Sequence, residues 1–468
     1  MSIEFSKQLS ARETPIPGVV LYELPVYGDN RGWFKENWQR EKMVALGLPD
    51  FKPVQNNISF NEKAGTTRGI HAEPWDKFIS VATGKIFGAW VDLRQGPSFG
   101  AVFTAELDPS QAIFIPRGVG NAFQTLEDNT AYTYLVNDHW SADAQGQYTF
   151  LNLADETAAI DWPIPLEEAE LSDKDKAHPR LADVRPMGPR KTLVVGANGQ
   201  LGKALRKLYE GDASVEFAGR AEFDLGSPEA IAEKNWKNYS TIINAAAYTA
   251  VDTAETPEGR QAAWQTNVTA VARLARTAIE HDLTLVHVSS DYVFDGTAKT
   301  HTEDEAPTPL SVYGQTKAAG DAVVSVVPRH YIVRTSWVIG EGNNFVRTMA
   351  NLAARGVRPA VVNDQIGRLT FTSDIADGIR HLLETGAPYG TYNLTNDGEP
   401  KSWAEIAADV FELSGASRSD VSGISTYEYF KGKDAATRPL HSILSLHKIQ
   451  AAGFHPPVGE SRLADYLG

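Results

Sequence analysis

The sequence predicts two domains, an all-β barrel of the jelly-roll kind followed by a doubly wound α/β domain. Three observations carry this reading. Short β-branched and aromatic runs, separated by turn residues, fill the first part of the 468 residues. A strand-like run, Thr192–Val195, then enters a glycine turn at Gly196, Gly199 and Gly202. Beyond that turn strand and helix patterns alternate, as a parallel sheet with crossover helices requires.

In the β part the runs are Val19–Leu24, Phe78–Val81, Lys85–Leu93 and Ala131–Val136. Turn signals at Gly28–Gly32, Gly96-Pro97 and Asp108-Pro109 separate them, and helical periods are few, which favours a sandwich or barrel. The stretches Asp173–Pro179 and Arg185–Pro189 are charged and proline-rich without apolar period, and read as a linker. The expected organisation is residues 1–180 for the β domain, 181–190 for the linker and 191–468 for the α/β domain with a C-terminal substrate-binding part. In that last domain the expected elements are Thr192–Val195, a helix from Gln200, and strands Thr241–Asn244 and Leu283–Val288.

Composition narrows the function classes. A net charge of -15 speaks against nucleic-acid and anionic-membrane binding, which reward basic surfaces. With no cysteine there is no disulfide, thiolate metal site or cysteine nucleophile. Met1–Lys7 lacks a basic region leading into an apolar stretch, and no run approaches the ~20 apolar residues of a membrane span. The expectation is a cytoplasmic protein.

The chemistry-bearing motifs lie mostly in the second part. Strand, glycine turn and helix present backbone N–H groups to a pyrophosphate, so Gly196, Gly199, Gln200, Leu201 and Gly202 are expected to hold a dinucleotide. Where the second strand should end stands Arg220 rather than a carboxylate, which suits a 2′-phosphate. NADPH is therefore expected over NADH, which remains an alternative donor; Asp224 and Leu225 lie where an adenine edge could be met. Small residues after the next strand, Ala246 and Ala247 with Tyr248, allow a cofactor to approach the backbone, and Thr249 beside them is expected to meet the substrate. Ser290 falls at a carboxyl strand end, where sites in open α/β sheets gather. Tyr313 and Lys317, at i and i+4, share a helix face, where the ammonium is expected to favour the phenolate and make Tyr313 a usable acid. Ser290 hydrogen-bonding a carbonyl that Tyr313 protonates defines a carbonyl reductase.

This half resembles the extended short-chain dehydrogenase/reductases, and within them the dTDP-4-dehydrorhamnose reductases. The carrying pieces are Gly199–Gly202, Ala245–Asp252, Ser290–Gly296, Tyr313 with Lys317, Arg334–Val338 and Asn363–Gly367. The resemblance implies a Rossmann-type fold, Tyr313 as proton donor, and Ser290, Asp291 and Trp337 against the sugar. Two departures stand out. Leu369 replaces a usual proline, and Ala204 stands where some members place a glutamate in a metal-linked dimer interface.

In the β half, His71 lies on an expected strand with Arg68 and Lys77 nearby; Tyr134 and Asp155 are its available partners. A carboxylate behind an imidazole fixes its tautomer and raises its basicity. Residues 16–165 resemble the dTDP-4-dehydrorhamnose 3,5-epimerases, which are cupin-like barrels. The pieces are Gly28–Phe34 with Glu36, Gln55–Asn57, Arg68–His71, Val91–Arg94, Ile115–Gly118 and Ile160–Pro163. The resemblance implies His71 as base with Asp155 as partner, and Tyr134 as acid. Arg31, Glu36, Gln55, Asn57, Arg68 and Lys77 then serve the substrate, and a homodimer forms through the barrel. Asn121 occupies the place of a sugar-contacting histidine. No second histidine stands near His71 in the sequence, so no cupin metal set is read, and the family works without metal.

The leading expectation is a bifunctional enzyme. It epimerises dTDP-4-dehydro-6-deoxyglucose at C3 and C5, then reduces C4 to give dTDP-L-rhamnose. The alternatives are the same chemistry on another 4-keto-6-deoxy sugar nucleotide, a reductase with an inactive sugar-nucleotide-binding barrel, and a nucleotide-sensing scaffold.

Overall fold

The computed structural model describes residues 5–139 and 146–468; residues 1–4 of the N-terminal segment read above lie outside them. The chain divides into two units, Met1–Pro189 and Arg190–Gly468.

The first unit is built from two antiparallel sheets. One runs in the order Ser10–Glu13, Val20–Glu23, Gln111–Ile115, Lys77–Thr83, Thr130–Val136, Gln55–Asn61. The other runs Thr149–Phe150, Thr67–Ala72, Val119–Thr125, Ile86–Asp92, Val102–Leu107. Period-two alternation sends Ile79, Val81, Trp90, Ile113, Phe123 and Tyr132 into one apolar core. A separate hairpin, Val26–Asp29 with Gly32–Lys35, stands beside these sheets in the chain.

Residues 181–190 do not behave as a linker. Leu181, Val184 and Met187 are buried against Ile70, Val91, Leu93 and Trp162. Met187 N–H donates to Leu93 O at 2.8 Å, and Gln95 N–H to Met187 O at 2.9 Å. Asp173–Lys176 forms a short helix capped by Ser172. The composition misled because each apolar residue here is single among charges and prolines, yet each fills a place on the barrel.

The second unit holds a six-stranded sheet in the order Val215–Ala218, Lys191–Val195, Tyr239–Asn244, Thr284–Ser290, His330–Thr335, Gly390–Asn393. All its pairings are parallel. The chain leaves Lys191–Val195 to one side and then crosses to Tyr239–Asn244 on the other. That reversal is the switch point at which ligands bind in such sheets. Apolar clusters cover both faces, one around Leu193, Leu274 and Leu285 and the other around Val194, Ile243 and Ile379. A third, around Val346, Phe371, Ile406 and Phe411, forms the core of the C-terminal part.

Candidate active sites

The glycine turn of the second unit is shaped for close approach. Gly196 has φ of +77°, and a Cβ there would stand 2.5 Å from Ala246 N. A Cβ on Gly202 would stand 2.3 Å from Gly196 O, so helix Gln200–Leu208 packs directly on the turn. Gly199, its N-cap, has no side chain to occupy the first-turn N–H groups. Gln200 Oε1 is buried without a hydrogen-bond partner, an acceptor left over at the turn. The cradle and the free N–H groups fit a dinucleotide pyrophosphate. Leu201 and Leu225 put their side chains into the core, so only their backbones are available. Arg220 is exposed and lies 3.6 Å from Asp224, whose Oδ1 accepts from Gly226 N–H. Ala246 and Ala247 are half-buried and Thr249 is exposed. Tyr248 packs with Tyr313 around Ala254 and Val312, its backbone held at both ends by the Asn267 amide.

At the end of strand Thr284–Ser290 the Ser290 hydroxyl donates to Asp291 Oδ1 at 2.9 Å and accepts from Tyr292 N–H at 3.2 Å. Burial pushes the Tyr313 phenol up to about 12, against a smaller downward pull from the hydrogen bond of Ser290. Lys317 is buried and donates to Val288 O at 2.7 Å; burial brings its ammonium down to about 8, opposed by Asp321. The expectation that Lys317 favours the phenolate is therefore not met in this state. Desolvation is the largest influence on the phenol, and the Lys317 ammonium is turned to the Val288 carbonyl. A protonated phenol is still what a proton donor requires. Burial also raises the Asp291 carboxyl to about 6. Trp337 holds a left-handed backbone, φ +46°, and stacks on Trp403 at 3.8 Å. Leu369 is buried beside it in the C-terminal core. Ala204 packs toward the cluster around Ile375 and Ile379.

In the first unit a cavity of about 1200 Å³ is lined by Arg68, His71, Glu73, Lys77, Asn121, Tyr134 and Asp175, among others. The strand Thr67–Ala72 presents Arg68 and His71; Lys77 and Tyr134 come from paired strands of the other sheet. His71 Nε2 lies 2.9 Å from Asp175 Oδ1. This corrects the expected partner. Asp155 instead ties down its own loop, accepting from Thr157 and Ala158 N–H at 3.0 and 2.7 Å and from Leu181 N–H at 2.7 Å. Burial raises the Asp175 carboxyl, but the hydrogen bond and charge of His71 and the bond from Ser172 leave it net below the usual range. A second histidine, His178, also joins the cluster, its Nε2 3.9 Å from Asp175 Oδ1 and its ring stacked on Phe150 at 4.7 Å. Burial and the nearby His71 hold His178 below the usual imidazole range. The sequence hides both partners, which arrive from the segment read as linker.

Lys77 pairs with Glu73 and lies over the Tyr134 ring at 5.1 Å. Burial, then Glu73, raises the Tyr134 phenol, keeping its proton in place. Arg68 Nε donates to Asn61 Oδ1 at 3.2 Å. Asn121 Oδ1 accepts from Trp90 Nε1–H at 3.0 Å and from Tyr132 OH at 3.2 Å, so the barrel interior fixes this amide where the family has a histidine. Arg31, Glu36, Gln55 and Asn57 do not line the cavity. Arg31 is exposed on the hairpin beside Asp29, Glu36 pairs with Lys42, and Gln55 donates to Asn57 at 2.8 Å.

The second unit is thus a nicotinamide-dependent carbonyl reductase of the extended short-chain type, and the first an acid–base barrel enzyme. Residues 190–468 match the family model described as RmlD substrate binding domain, and residues 13–183 match that of dTDP-4-dehydrorhamnose 3,5-epimerase. A Streptococcus pyogenes protein named Protein RmlC homolog is 50% identical over 192 residues, covering 40% of this chain and 96% of that protein. The dTDP-4-dehydrorhamnose reductase of Aggregatibacter actinomycetemcomitans is 38% identical over 285 residues, covering 57% of this chain and 94% of that one. The crystal structure of dTDP-4-dehydrorhamnose reductase from Bacillus anthracis in complex with NADP is 32% identical with a TM-score of 0.54, covering 59% of this chain and 98% of that chain. The chain belongs to both families. It is a bifunctional fusion of a dTDP-4-dehydrorhamnose 3,5-epimerase and an NADPH-dependent dTDP-4-dehydrorhamnose reductase, enzymes of dTDP-rhamnose biosynthesis.

Proposed function

We propose that the two sites act on one dTDP-linked 4-keto-6-deoxy sugar in sequence, with the following division of labour. In the barrel, His71 removes the protons at C3 and C5, whose acidity comes from the C4 ketone. Asp175 stabilises the imidazolium that forms; Arg68 and Lys77 hold the diphosphate and the enolate. Tyr134 returns the C5 proton from the other face. The observation that carries this is that the His71–Asp175 pair and Tyr134 share one cavity.

In the reductase, Gly196, Gly199, Gly202 and the Ala246–Ala247 segment would hold NADPH, with Arg220 serving the 2′-phosphate. Once bound there, NADPH supplies a hydride to C4. Ser290 orients the ketone, Tyr313 delivers the proton to its oxygen, and Lys317 fixes the helix-face geometry of the site. Asp291 and Trp337 line the sugar position.

The barrel also has a face suited to a second copy of this chain. Gln55–Asn61 is an edge strand carrying exposed Ile58 and Phe60, and the neighbouring hairpin in sequence exposes Tyr27 and Phe34. An exposed apolar edge strand is managed by pairing or covering. In a homodimer through this face, Arg31, Gln55 and Asn57 would meet sugar nucleotide across the interface. Among the described residues no helix is long and apolar enough to cross a membrane, in keeping with action in the cytoplasm.

Incubating dTDP-4-dehydro-6-deoxyglucose with NADPH and the full chain in deuterated water tests the reading. NADPH consumption with deuterium at C3 and C5 of the product is expected. Consumption only after a separate epimerase is added would make the barrel a binding module.

A further inference from the structure

We propose that His71, Asp175 and His178 form a binding site for a zinc-class divalent cation, whose occupation stops the epimerase while leaving the reductase running. One ligand atom from each of these three side chains lies within 4.8 Å of the others. His71 Nε2 is 2.9 Å and His178 Nε2 is 3.9 Å from the same Asp175 oxygen. Zinc bonds of roughly 2.0–2.2 Å place tetrahedral donors about 3.2–3.6 Å apart, so the observed separations straddle the required one. The separation between the two imidazole donors is bounded at 4.8 Å, so the rings would have to draw together by up to about 1.2–1.6 Å to close the set.

The donor types and their support argue for a particular class of ion. Two imidazoles and one carboxylate suit zinc, cobalt, nickel or copper, whereas magnesium and calcium prefer all-oxygen sets. Asp175 is buried and sits in the first turn of the Asp173–Lys176 helix, capped by Ser172. Phe150 stacks on the His178 ring and meets the His71 ring edge-on at 5.6 Å. Three protein donors beside a large cavity leave a fourth position open to water or ligand, the form of an accessible rather than a structural zinc site. The three residues come from strand Thr67–Ala72 and from the tail that wraps the barrel, which is why no sequence spacing announces them.

The consequence for the reaction follows from the ring. A neutral imidazole has one proton, and the hydrogen bond to Asp175 places it on Nε2, leaving the Nδ1 lone pair for the substrate. A cation on Nε2 binds the electron pair that held the Nε2 proton, so the ring's one proton moves to Nδ1 and occupies the pair meant for the substrate. No base remains, and nothing else in the cavity need be displaced. This inhibitory step rests on His71 being the base; the binding site does not.

The test uses the full chain, freed of metal by chelation, with zinc buffered by nitrilotriacetate and cobalt as a spectroscopic substitute. Equilibrium dialysis should show one strong zinc per chain, and cobalt should give visible d–d bands of a four-coordinate site. His178→Gln and Asp175→Asn, made separately, should each weaken zinc binding by roughly tenfold or more. For the parent, zinc should lower the turnover of C3 and C5 deuterium exchange with little change in substrate affinity, reversed by EDTA. NADPH oxidation on pre-epimerised substrate should persist at the same zinc level. Unchanged zinc affinity in both variants overturns the site. Zinc held by these residues with exchange unimpaired overturns the inhibition and the assignment of His71 as base, while the site stands.

Discussion

Replacing Asp175 by asparagine separates the observed partner of His71 from the one the sequence suggested. The substitution keeps the shape and one hydrogen bond but removes the charge that stabilises the His71 imidazolium. Unit charges 4 Å apart interact by roughly 4 kcal/mol at an effective dielectric near 20. The His71 side chain is 34% exposed, so solvent screening takes about half of that. On the order of 2 kcal/mol remains, a factor of about 30 in rate. The amide adds a second loss where its N–H donates to Nε2, because the ring proton then moves to Nδ1 and disarms the base. A wrong tautomer behind a catalytic histidine costs up to about 10⁴ elsewhere. Deuterium wash-in at C3 and C5 followed by NMR should therefore slow by at least about 30-fold. Asp155→Asn is the control. It should destabilise the barrel by about 1–3 kcal/mol, through the loop that Thr157, Ala158 and Leu181 hold, yet leave exchange in the folded protein near the parent rate. Exchange in Asp175→Asn within a few-fold of the parent, or an equal loss in folded Asp155→Asn, would refute the assignment.

Four further outcomes are expected. Tyr313→Phe removes the transferable proton and keeps the ring, so NADPH oxidation should fall on the order of 10²–10⁴-fold with NADPH binding nearly intact. The reductase kcat/KM should decline above about pH 8, where Lys317 loses its charge, and Lys317→Gln should abolish that limb. Asp291 favours its protonated form in the fold, with a pKa of about 6 against 3.8, so its contribution to stability is full below pH 3.8 and is lost as pH rises to about 6. That loss is about 3 kcal/mol, and Asp291→Asn should therefore raise the Tm of the reductase unit at pH 7.5 but not near pH 4. Arg220→Ala should raise the KM for NADPH and leave NADH kinetics nearly unchanged; an unaltered preference would remove Arg220 from cofactor selection.

The candidate reductase residues could be picked out because they are local in sequence. Ser290 follows an apolar run, Tyr313 and Lys317 lie one turn apart, and the glycines sit where strand passes to helix. Such patterns state geometry directly. The epimerase site was half legible. Arg68, His71 and Tyr134 lie on strands that the residue pattern reveals, with Lys77 just before another, but His71 and Asp175 are separated by 104 positions. Their meeting depends on a tail whose apolar residues come singly. One signal was present. Leu181, Val184 and Met187 recur at intervals of three within the supposed linker, and their burial against the barrel carries Asp175 and His178 into place. The electrostatics were not legible at all. A Tyr–Lys pair on a helix predicts a lowered phenol, while burial, which no spacing encodes, produced a raised one.

The two sites solve proton transfer by opposite means, and the chemistry of each step accounts for the difference. Reduction of C4 generates an alkoxide, a far stronger base than phenolate even for a tyrosine at about 12. That proton moves downhill, so the reductase needs only a protonated phenol in position. Burial supplies this, at the cost of an Asp291 near 6 and a Lys317 near 8. Removing a proton from carbon beside a ketone is uphill, and it separates charge into an imidazolium and an enolate. Burial alone would penalise both ions. The barrel instead keeps Asp175 ionised below the usual range behind His71, and Lys77 lines the same cavity of about 1200 Å³. Removing one charge should therefore harm the epimerase more than removing one buried charge harms the reductase. The surviving ion in the barrel loses its counter-charge at the transition state, whereas the phenol of Tyr313 still has its proton to give.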